Sequence, residues 1–592
     1  MDAETDQAVA AAQMSRDAAG PPAIGGAGWH SFVEAPLVIA DDSAIRWGDT
    51  ADVVVVGFGG AGACAALEAR AQGADVLVVD RFTGGGATAG SGGVVYAGGG
   101  TAFQKEAGFD DTVDDMFAYL KLETQGIVSD ATLRRFCEQS CANLEWLQSH
   151  GVPFSASFYA EKTIYPPEGK FLYYAGNELL PRVKAVARPA PRGHRTVGRG
   201  VFCGGVLHRA LAAAARTKGI RILQHAPAVR LVMDAHGTVL GVQVRRLNSE
   251  SAAYTAHDKA IRRIDAYLRF VPPRVKKLNG DLLAMEAQGE PVLIRARGGV
   301  ILSAGGFAFN EDMLRLYAEA YADGFPVGSA GCDGSGIRLG QSAGGAVRAL
   351  DSVSATRAIS PPPEMVQGIV VDDSAQRFVE EDAYGGSLGR AVAEHGSAKT
   401  YLIIDARIRR AAIRLALRFG PGWLVMSFPV LRTLMMNCVG AADARALANR
   451  IGLDPAALEA TLARYHEGVA AGSDEFGKNP HNLKPLGGRL YAIEISTRNP
   501  FTTCMIITMG GLAVDEESGN VLRDDGTRIA GLYAAGRSAV GIPSHFYVSG
   551  TSIADCAFSG RRAGLSAALA APVAEGASSC ARTAQALEAK CV

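Results

Sequence analysis

The stretch from Val53 to Asp80, VVVVGFGGAGACAALEARAQGADVLVVD, constrains the fold more than any other part of the chain. Val53 to Val56 form a β-branched run suited to a strand buried on both faces. Gly57, Gly59 and Gly62 follow with the G-x-G-x-x-G spacing. Ala61 to Ala71 has the small-residue composition of a tightly packed helix, and a second apolar run, Val76 to Val79, ends in Asp80. Together these make a complete βαβ unit. Gly57 permits the tight turn, Gly59 lets the backbone approach a pyrophosphate, and Gly62 lets helix and strand pack closely. The helix N-terminus offers unpaired N–H groups and partial positive charge to phosphates. Asp80, 23 residues after Gly57, stands where an acid accepts bonds from a ribose hydroxyl pair. The segment therefore reads as a dinucleotide site in an α/β domain.

Composition narrows the rest. A chain of 592 residues holds two to four domains, and 48% hydrophobic with 20% charged residues excludes global disorder. A formal net charge of −1 gives no electrostatic case for nucleic acid. The 71 glycines follow no collagen period and suggest many close backbone approaches to a ligand. Ten cysteines show neither a CxxC pair nor zinc spacing, so no metal site is expected, and the pattern fits a reducing, cytoplasmic setting. The N-terminus lacks the basic and apolar regions of a signal peptide, and no run of 18 apolar residues predicts a spanning helix.

Along the chain, Thr83 to Thr101 is so glycine-rich that its backbone is expected to wrap a ligand as a second cradle, with Thr88 and Ser91 as donors. Residues 110–150 and 204–216 read as helices. Residues 159–191, rich in Tyr, Pro and Gly, fit a surface loop or a cavity wall equally well. Two stretches, 249–290 and 407–438, mix arginines with apolar residues. The simpler reading is a solvated amphipathic insertion, and the alternative is a peripheral membrane or partner contact. Pro421 and Pro429 are expected to interrupt the second stretch. GVILSAGG (299–306), GCDGSGIRLGQSAGG (331–345) and GLYAAGR (531–537) are further strands or turns with glycines. FYVSGTSIADCAFSGRRAG (546–564) starts a helix of small residues.

The G-x-G-x-x-G with its acid, SGGVVYAGGGT, SAGGF, DGSGI, TMGGLAVD and GLYAAGR occur in this order. Together they resemble the fumarate reductase/3-ketosteroid dehydrogenase group of FAD flavoproteins, over residues 50–570. Tyr547-Val548-Ser549-Gly550-Thr551-Ser552 looks most like the 3-ketosteroid Δ4-dehydrogenases. The resemblance implies a Rossmann-like FAD-binding domain with an inserted α+β catalytic cap. The expected division is a tail (1–45), FAD domain (46–345), cap (346–496), FAD domain again (497–571) and a second tail (572–592). It implies FAD contacts from Gly57, Gly59, Gly60, Gly62, Asp80 and Arg81 in the first unit. Gly86, Ala87, Thr88, Ser91, Gly92 and Gly93 would contribute from the second cradle. Val229, Ala304, Gly305, Gly336, Gly536, Arg537, Ser552 and Ile553 would complete the set. Asp80 departs from the family's usual Glu by one methylene. The His/Arg clamp of the fumarate reductases and the Tyr-Pro-Gly motif of the Δ1-dehydrogenases are both missing.

The implied reaction introduces a C4–C5 double bond into a 3-oxo-5α- or 5β-steroid. A base removes the C4 proton, and flavin N5 takes the hydride from C5. Tyr547 is the expected proton acceptor, helped by Ser549 and by the following helix N-terminus. Tyr384, after the run Arg377-Phe378-x-x-Glu381-Asp382, would orient the carbonyl or the tyrosine pair. Arg377 with Glu381 also reads as a structural ion pair. A second dinucleotide motif is absent, so electrons would leave to a quinone or an electron-transfer protein. The alternatives are a Δ1-dehydrogenase, an enoate reductase running in reverse, or a flavin electron carrier without catalysis.

Overall fold

The computed structural model describes residues 32–572, except 41–42, 44, 162, 268–271, 358, 360–362, 418–422 and 503. Most of the two expected tails therefore lies outside the described residues. β1 (Asp49–Val56), α1 (Gly60–Ala71) and β2 (Val76–Val79) form the βαβ unit where the sequence places it. β1 continues in parallel into β2 on one side and β4 (Glu290–Leu302) on the other. β3 (Arg221–Leu223) extends the β2 edge, and β5 (Arg528–Ala534) pairs with the end of β4, all parallel. The first half of β4 also pairs antiparallel with Val239–Arg246, which in turn pairs antiparallel with Ala228–Asp234, so one long strand joins the parallel and antiparallel parts of a single sheet.

Strand alternation divides this sheet's side chains between two cores. Val53, Val55, Val76 and Val78 enter one, with α1 and the C-terminal helix α2 (Thr551–Ala570). Val54, Val56, Leu77 and Val79 enter the other. α1 and α2 cross closely because both are lined with small residues. A Cβ on Gly560 would lie 2.6 Å from the Ala61 carbonyl oxygen, and one on Gly564 2.3 Å from that of Ala65.

A separate core gathers residues between Ile359 and Ile495 around an antiparallel sheet of Ile369–Val371, Tyr401–Asp405, Leu490–Glu494 and Cys438–Ala441. Arg377 is buried there as a structural ion pair. It meets Glu381 at 2.7 Å and Asp474 at 2.8 Å, and Lys478 meets Glu381 at 2.9 Å. Such a cluster is tolerated in a core because each charge is paired and hydrogen-bonded.

The two insertions are helical pairs. Ala252–Tyr267 and Pro272–Glu286 form one, with Ile261, Ile264 and Leu282 packed on Phe82 and Phe309. Ala406–Ala416 and Trp423–Met436 form the other. Pro421 lies outside the described residues, and Pro429 sits inside that last helix rather than ending it, since a proline removes one i→i−4 bond and leaves the flanking turns intact. Residues 159–191 are part surface and part core: Ala160, Glu161 and 167–169 are exposed, and 175–178 are buried. Leu172–Tyr173 is fully buried in a small sheet with Val94–Tyr96, Gly193–Arg195 and Phe158–Tyr159.

Candidate active site

The site grows from the ends of β1, β4 and β5 and from the starts of α1 and α2. Gly57 leaves β1 at φ 98°, and a Cβ there would lie 2.8 Å from the Ser303 carbonyl oxygen beyond β4. Gly62 is pressed harder, with a Cβ position 1.9 Å from the Gly57 oxygen. Gly59 is different: its nearest neighbour is the Gly85 oxygen at 3.9 Å. Two of the three glycines thus serve packing, and the third leaves open space at the helix N-terminus, where a pyrophosphate would approach. Gly60 donates its N–H to Thr88 Oγ1 at 3.1 Å, which ties the first cradle to the second. Gly86, Ala87 and Thr88 form a short helical turn beside Gly59, and Ser91 Oγ accepts from the Gly93 N–H at 3.1 Å. Gly92 has Tyr165 over it, with a Cβ position 2.4 Å from that ring.

Asp80 is already engaged by the backbone. Its carboxylate accepts from the N–H groups of Phe58 at 2.7 Å, Phe82 at 2.8 Å and Gly84 at 3.2 Å. It therefore holds the glycine loop in shape, and one lone pair, on Oδ2, remains for a ribose hydroxyl. Arg81 turns away to Glu286 at 2.7 Å and Asp333 at 3.0 Å, and its Nη2 is buried with no hydrogen-bond partner. Glu286 also meets His257 at 3.1 Å, and His257 meets His225 at 2.8 Å. The first helical pair is thus anchored through Arg81 next to the ribose acid. Val229 lies on the neighbouring strand, where its carbonyl accepts from the Glu34 N–H at 2.8 Å.

Ala304, Gly305, Gly336, Gly536 and Arg537 come together across the top of the sheet. A Cβ on Gly336 would lie 3.1 Å from that of Ala304, and the Gly305 N–H donates to Ser538 Oγ at 3.1 Å. Gly536 takes φ 58°, and a Cβ there would lie 2.8 Å from that of Ala61. Arg537 reaches Cys332 Sγ at 3.2 Å, while its Nη1 is buried without a partner. An orphaned guanidinium N–H beside two helix N-termini suits an anionic or carbonyl-rich ligand, and an FAD fits these residues. Ser552 and Ile553 occupy the first turn of α2. Cys332 and Cys556 lie beside these turns as free thiols.

At the other end stand the tyrosines. Gly550 caps α2 at φ 95°, and its N–H points to Tyr547 Oη at 3.4 Å. Tyr384, about 160 residues earlier in sequence, begins the helix Gly385–Glu394. Its ring packs edge-on to Phe546, and a Cβ on Gly386 would lie 2.8 Å from that ring and 3.6 Å from the Tyr547 carbonyl oxygen. Tyr384, Tyr547 and Ser549 therefore converge. Burial pushes the Tyr547 phenol above its ordinary value, against the Gly550 N–H, Arg537 and Ser549, which all pull it down. The helpers expected from the sequence are present, and desolvation outweighs them. Burial likewise raises Tyr384, with Tyr547, Tyr165 and Tyr173 adding to the rise and Ser549 opposing it.

Tyr173 and Tyr165 belong to this cluster and were not singled out from the sequence. Burial holds Tyr173 far above the usual phenol range, and Ser549 lowers it. Their signal was the aromatic density of residues 159–191, which no periodicity assigned to a strand. His545 is held by Arg390, with Nε2 3.2 Å from its Nη1, and burial lowers its pKa.

Residues 52–553 match the FAD binding domain family. The chain is 38% identical over 512 residues to the 3-oxo-5-alpha-steroid 4-dehydrogenase of Comamonas testosteroni, covering 84% of this chain and 95% of that one. It is 26% identical over 581 residues to the 3-oxosteroid 1-dehydrogenase of Mycolicibacterium smegmatis, covering 84% and 94%. Among solved structures it matches the 3-ketosteroid-delta4-(5alpha)-dehydrogenase of Rhodococcus jostii RHA1, in complex with 4-androstene-3,17-dione. That match has a TM-score of 0.75 and 31% identity, and covers 90% of this chain and 100% of the other. The chain belongs to the FAD-binding-domain flavoproteins, in the family that includes these steroid dehydrogenases.

Proposed function

We propose that this protein is an FAD-dependent oxidoreductase that desaturates the C4–C5 bond of a 3-oxo-5α- or 5β-steroid. The observation that carries this reading is the meeting of Tyr384, Tyr547 and Ser549, from two distant segments, at the head of α2 beside Arg537. The 38% identity to a 3-oxo-5-alpha-steroid 4-dehydrogenase supports the same substrate class. Bound FAD supplies the hydride acceptor. The chain's own residues have three tasks. Tyr547 takes the proton from C4, which the neighbouring ketone acidifies. Ser549 and the Gly550 N–H stabilise the phenolate form in which Tyr547 accepts that proton, and the transfer leaves a neutral phenol. Tyr384, still protonated because it is buried, donates a hydrogen bond to the C3 carbonyl oxygen and stabilises the enolate. Asp80, Gly59, Thr88 and Arg537 hold the cofactor.

Electrons then pass to an external acceptor, a quinone or an electron-transfer protein. The second helical pair supports delivery at a membrane surface. Residues 406–437 carry six arginines and no acid, and Arg407, Arg410 and Arg414 are exposed along one helix face. No helix among the described residues is long and apolar enough to cross a membrane. Flotation with anionic vesicles should carry the wild-type protein and not the Arg407→Glu/Arg410→Glu/Arg414→Glu variant. Equal recovery of both would remove the membrane contact.

Purified FAD-loaded protein, mixed anaerobically with a 3-oxo-5α-steroid, should bleach without NAD(P)H and yield the 4-ene-3-one. Tyr547→Phe should retain FAD and lose reduction by about 10²–10⁴-fold. Bleaching at the wild-type rate would end the base assignment.

A further inference from the structure

Asn177 lies in the Tyr-, Pro- and Gly-rich segment 159–191 and is fully buried. Its backbone N–H donates to Tyr119 Oη at 2.8 Å. Its side-chain Oδ1 accepts from the Tyr384 backbone N–H at 2.7 Å. Its Nδ2 donates to Glu123 Oε1 at 2.9 Å and to Ser387 Oγ at 3.1 Å. The orientation of the amide is fixed by its neighbours, because an N–H needs an acceptor on one side and a carboxylate needs a donor on the other. Both partners on the cap side belong to the first turn that carries Tyr384. Both on the other side, Tyr119 and Glu123, belong to the helix Val113–Thr124. One carboxamide thus joins the helix Gly385–Glu394 to the helix Val113–Thr124, at the residue where the tyrosine enters the site.

We propose that Asn177 is a positioning residue that sets Tyr384 against Tyr547. It touches no reacting atom. It fixes the backbone from which Tyr384 departs, and Glu123 fixes Asn177. A buried carboxamide without these partners would be costly, so the arrangement is held as a unit. Tyr384 can turn only about its own χ1 and χ2 once its N–H is held.

The test uses three FAD-loaded variants. Asn177→Leu removes the acceptor. Asn177→Asp keeps the acceptor and places a carboxylate against Glu123. The double variant Asn177→Asp/Glu123→Gln reverses donor and acceptor and restores the pair. Hydrogen exchange read by mass spectrometry should show the Tyr384 amide opening at least about tenfold faster in Asn177→Leu, with other cap amides unchanged. Reduction of the flavin by a 3-oxo-5α-steroid should slow by about tenfold or more in Asn177→Asp, through kcat rather than KM, and the double variant should recover most of it. Wild-type exchange at Tyr384 in Asn177→Leu, or a double variant no better than Asn177→Asp, would overturn the assignment. The activity arm rests on the proposed steroid chemistry and the exchange arm does not. A wild-type protein that no steroid reduces would sink that chemistry, and exchange at Tyr384 would still decide the role of Asn177.

Discussion

Tyr547 is buried deeply enough that its phenol titrates above its ordinary value near 10. A base works in its deprotonated form, so the fraction that is active rises with pH toward that raised value. The rate of flavin reduction by steroid should therefore climb through the range from about pH 6 to about pH 10 without a plateau. A plateau near pH 7 would mean another base. Ser549 opposes the rise at Tyr547, so Ser549→Ala should lower the rate at pH 8 by about tenfold while FAD stays bound. Asp80 makes a separate prediction. Its carboxylate takes three backbone N–H groups, and an amide offers only one acceptor oxygen. Asp80→Asn should weaken FAD retention and lower stability by about 1–3 kcal/mol, read by flavin content and thermal melting. The glycine motif and the acid were legible in the sequence because they sit in one local pattern, whereas the three catalytic candidates came only from the family resemblance. Asn177 and Tyr173 were not, because their partners are distant in sequence and Asn or Tyr in an irregular stretch carries no spacing to read.

The element that shapes the site is the crossing of α1 and α2. Their small residues bring two helix N-termini to the top of one sheet, where the loops proposed to hold the cofactor meet. Gly560 and Gly564 have no room for a side chain against Ala61 and Ala65. Gly560→Val should therefore push the helices apart, cost about 1–3 kcal/mol and release FAD more readily, seen as a lower melting temperature and free flavin fluorescence. A melting temperature equal to wild type would show that the close approach is not needed. Alternation along β1 and β2 could be read from the sequence as burial on both faces, and it supplies the two cores. The helix Trp423–Met436 was harder, because Pro429 reads locally as a break and the surrounding apolar turns carry the helix through it.

At the scale of the molecule, a buried histidine makes the fold sensitive to acid. His194 lies in the small sheet with Leu172–Tyr173, with Nε2 2.9 Å from Thr101 Oγ1 and Nδ1 3.1 Å from the Arg192 carbonyl oxygen. Burial lowers its pKa to about 4, so the folded chain keeps it neutral where the unfolded chain protonates it. Its contribution to stability is present above about pH 6.5 and is lost as pH falls through about 4. Urea unfolding should show a shallower loss between pH 6.5 and pH 4 in His194→Gln than in wild type. The motif order along the chain made the α/β architecture readable before any contact was known. The convergence of residues 384 and 547–549 could be expected only through resemblance, since no local pattern joins them. The central claim is that this convergence, over bound FAD, removes a proton and a hydride from a 3-oxosteroid. A single anaerobic stopped-flow comparison of wild type, Tyr547→Phe and Tyr384→Phe with a 3-oxo-5α-steroid tests it most directly. Rapid bleaching with 4-ene-3-one formation in the wild type, and a loss of about 10²-fold or more in Tyr547→Phe, is the result predicted here. Flavin that stays oxidised in the wild type, or bleaches equally fast in all three proteins, would contradict it.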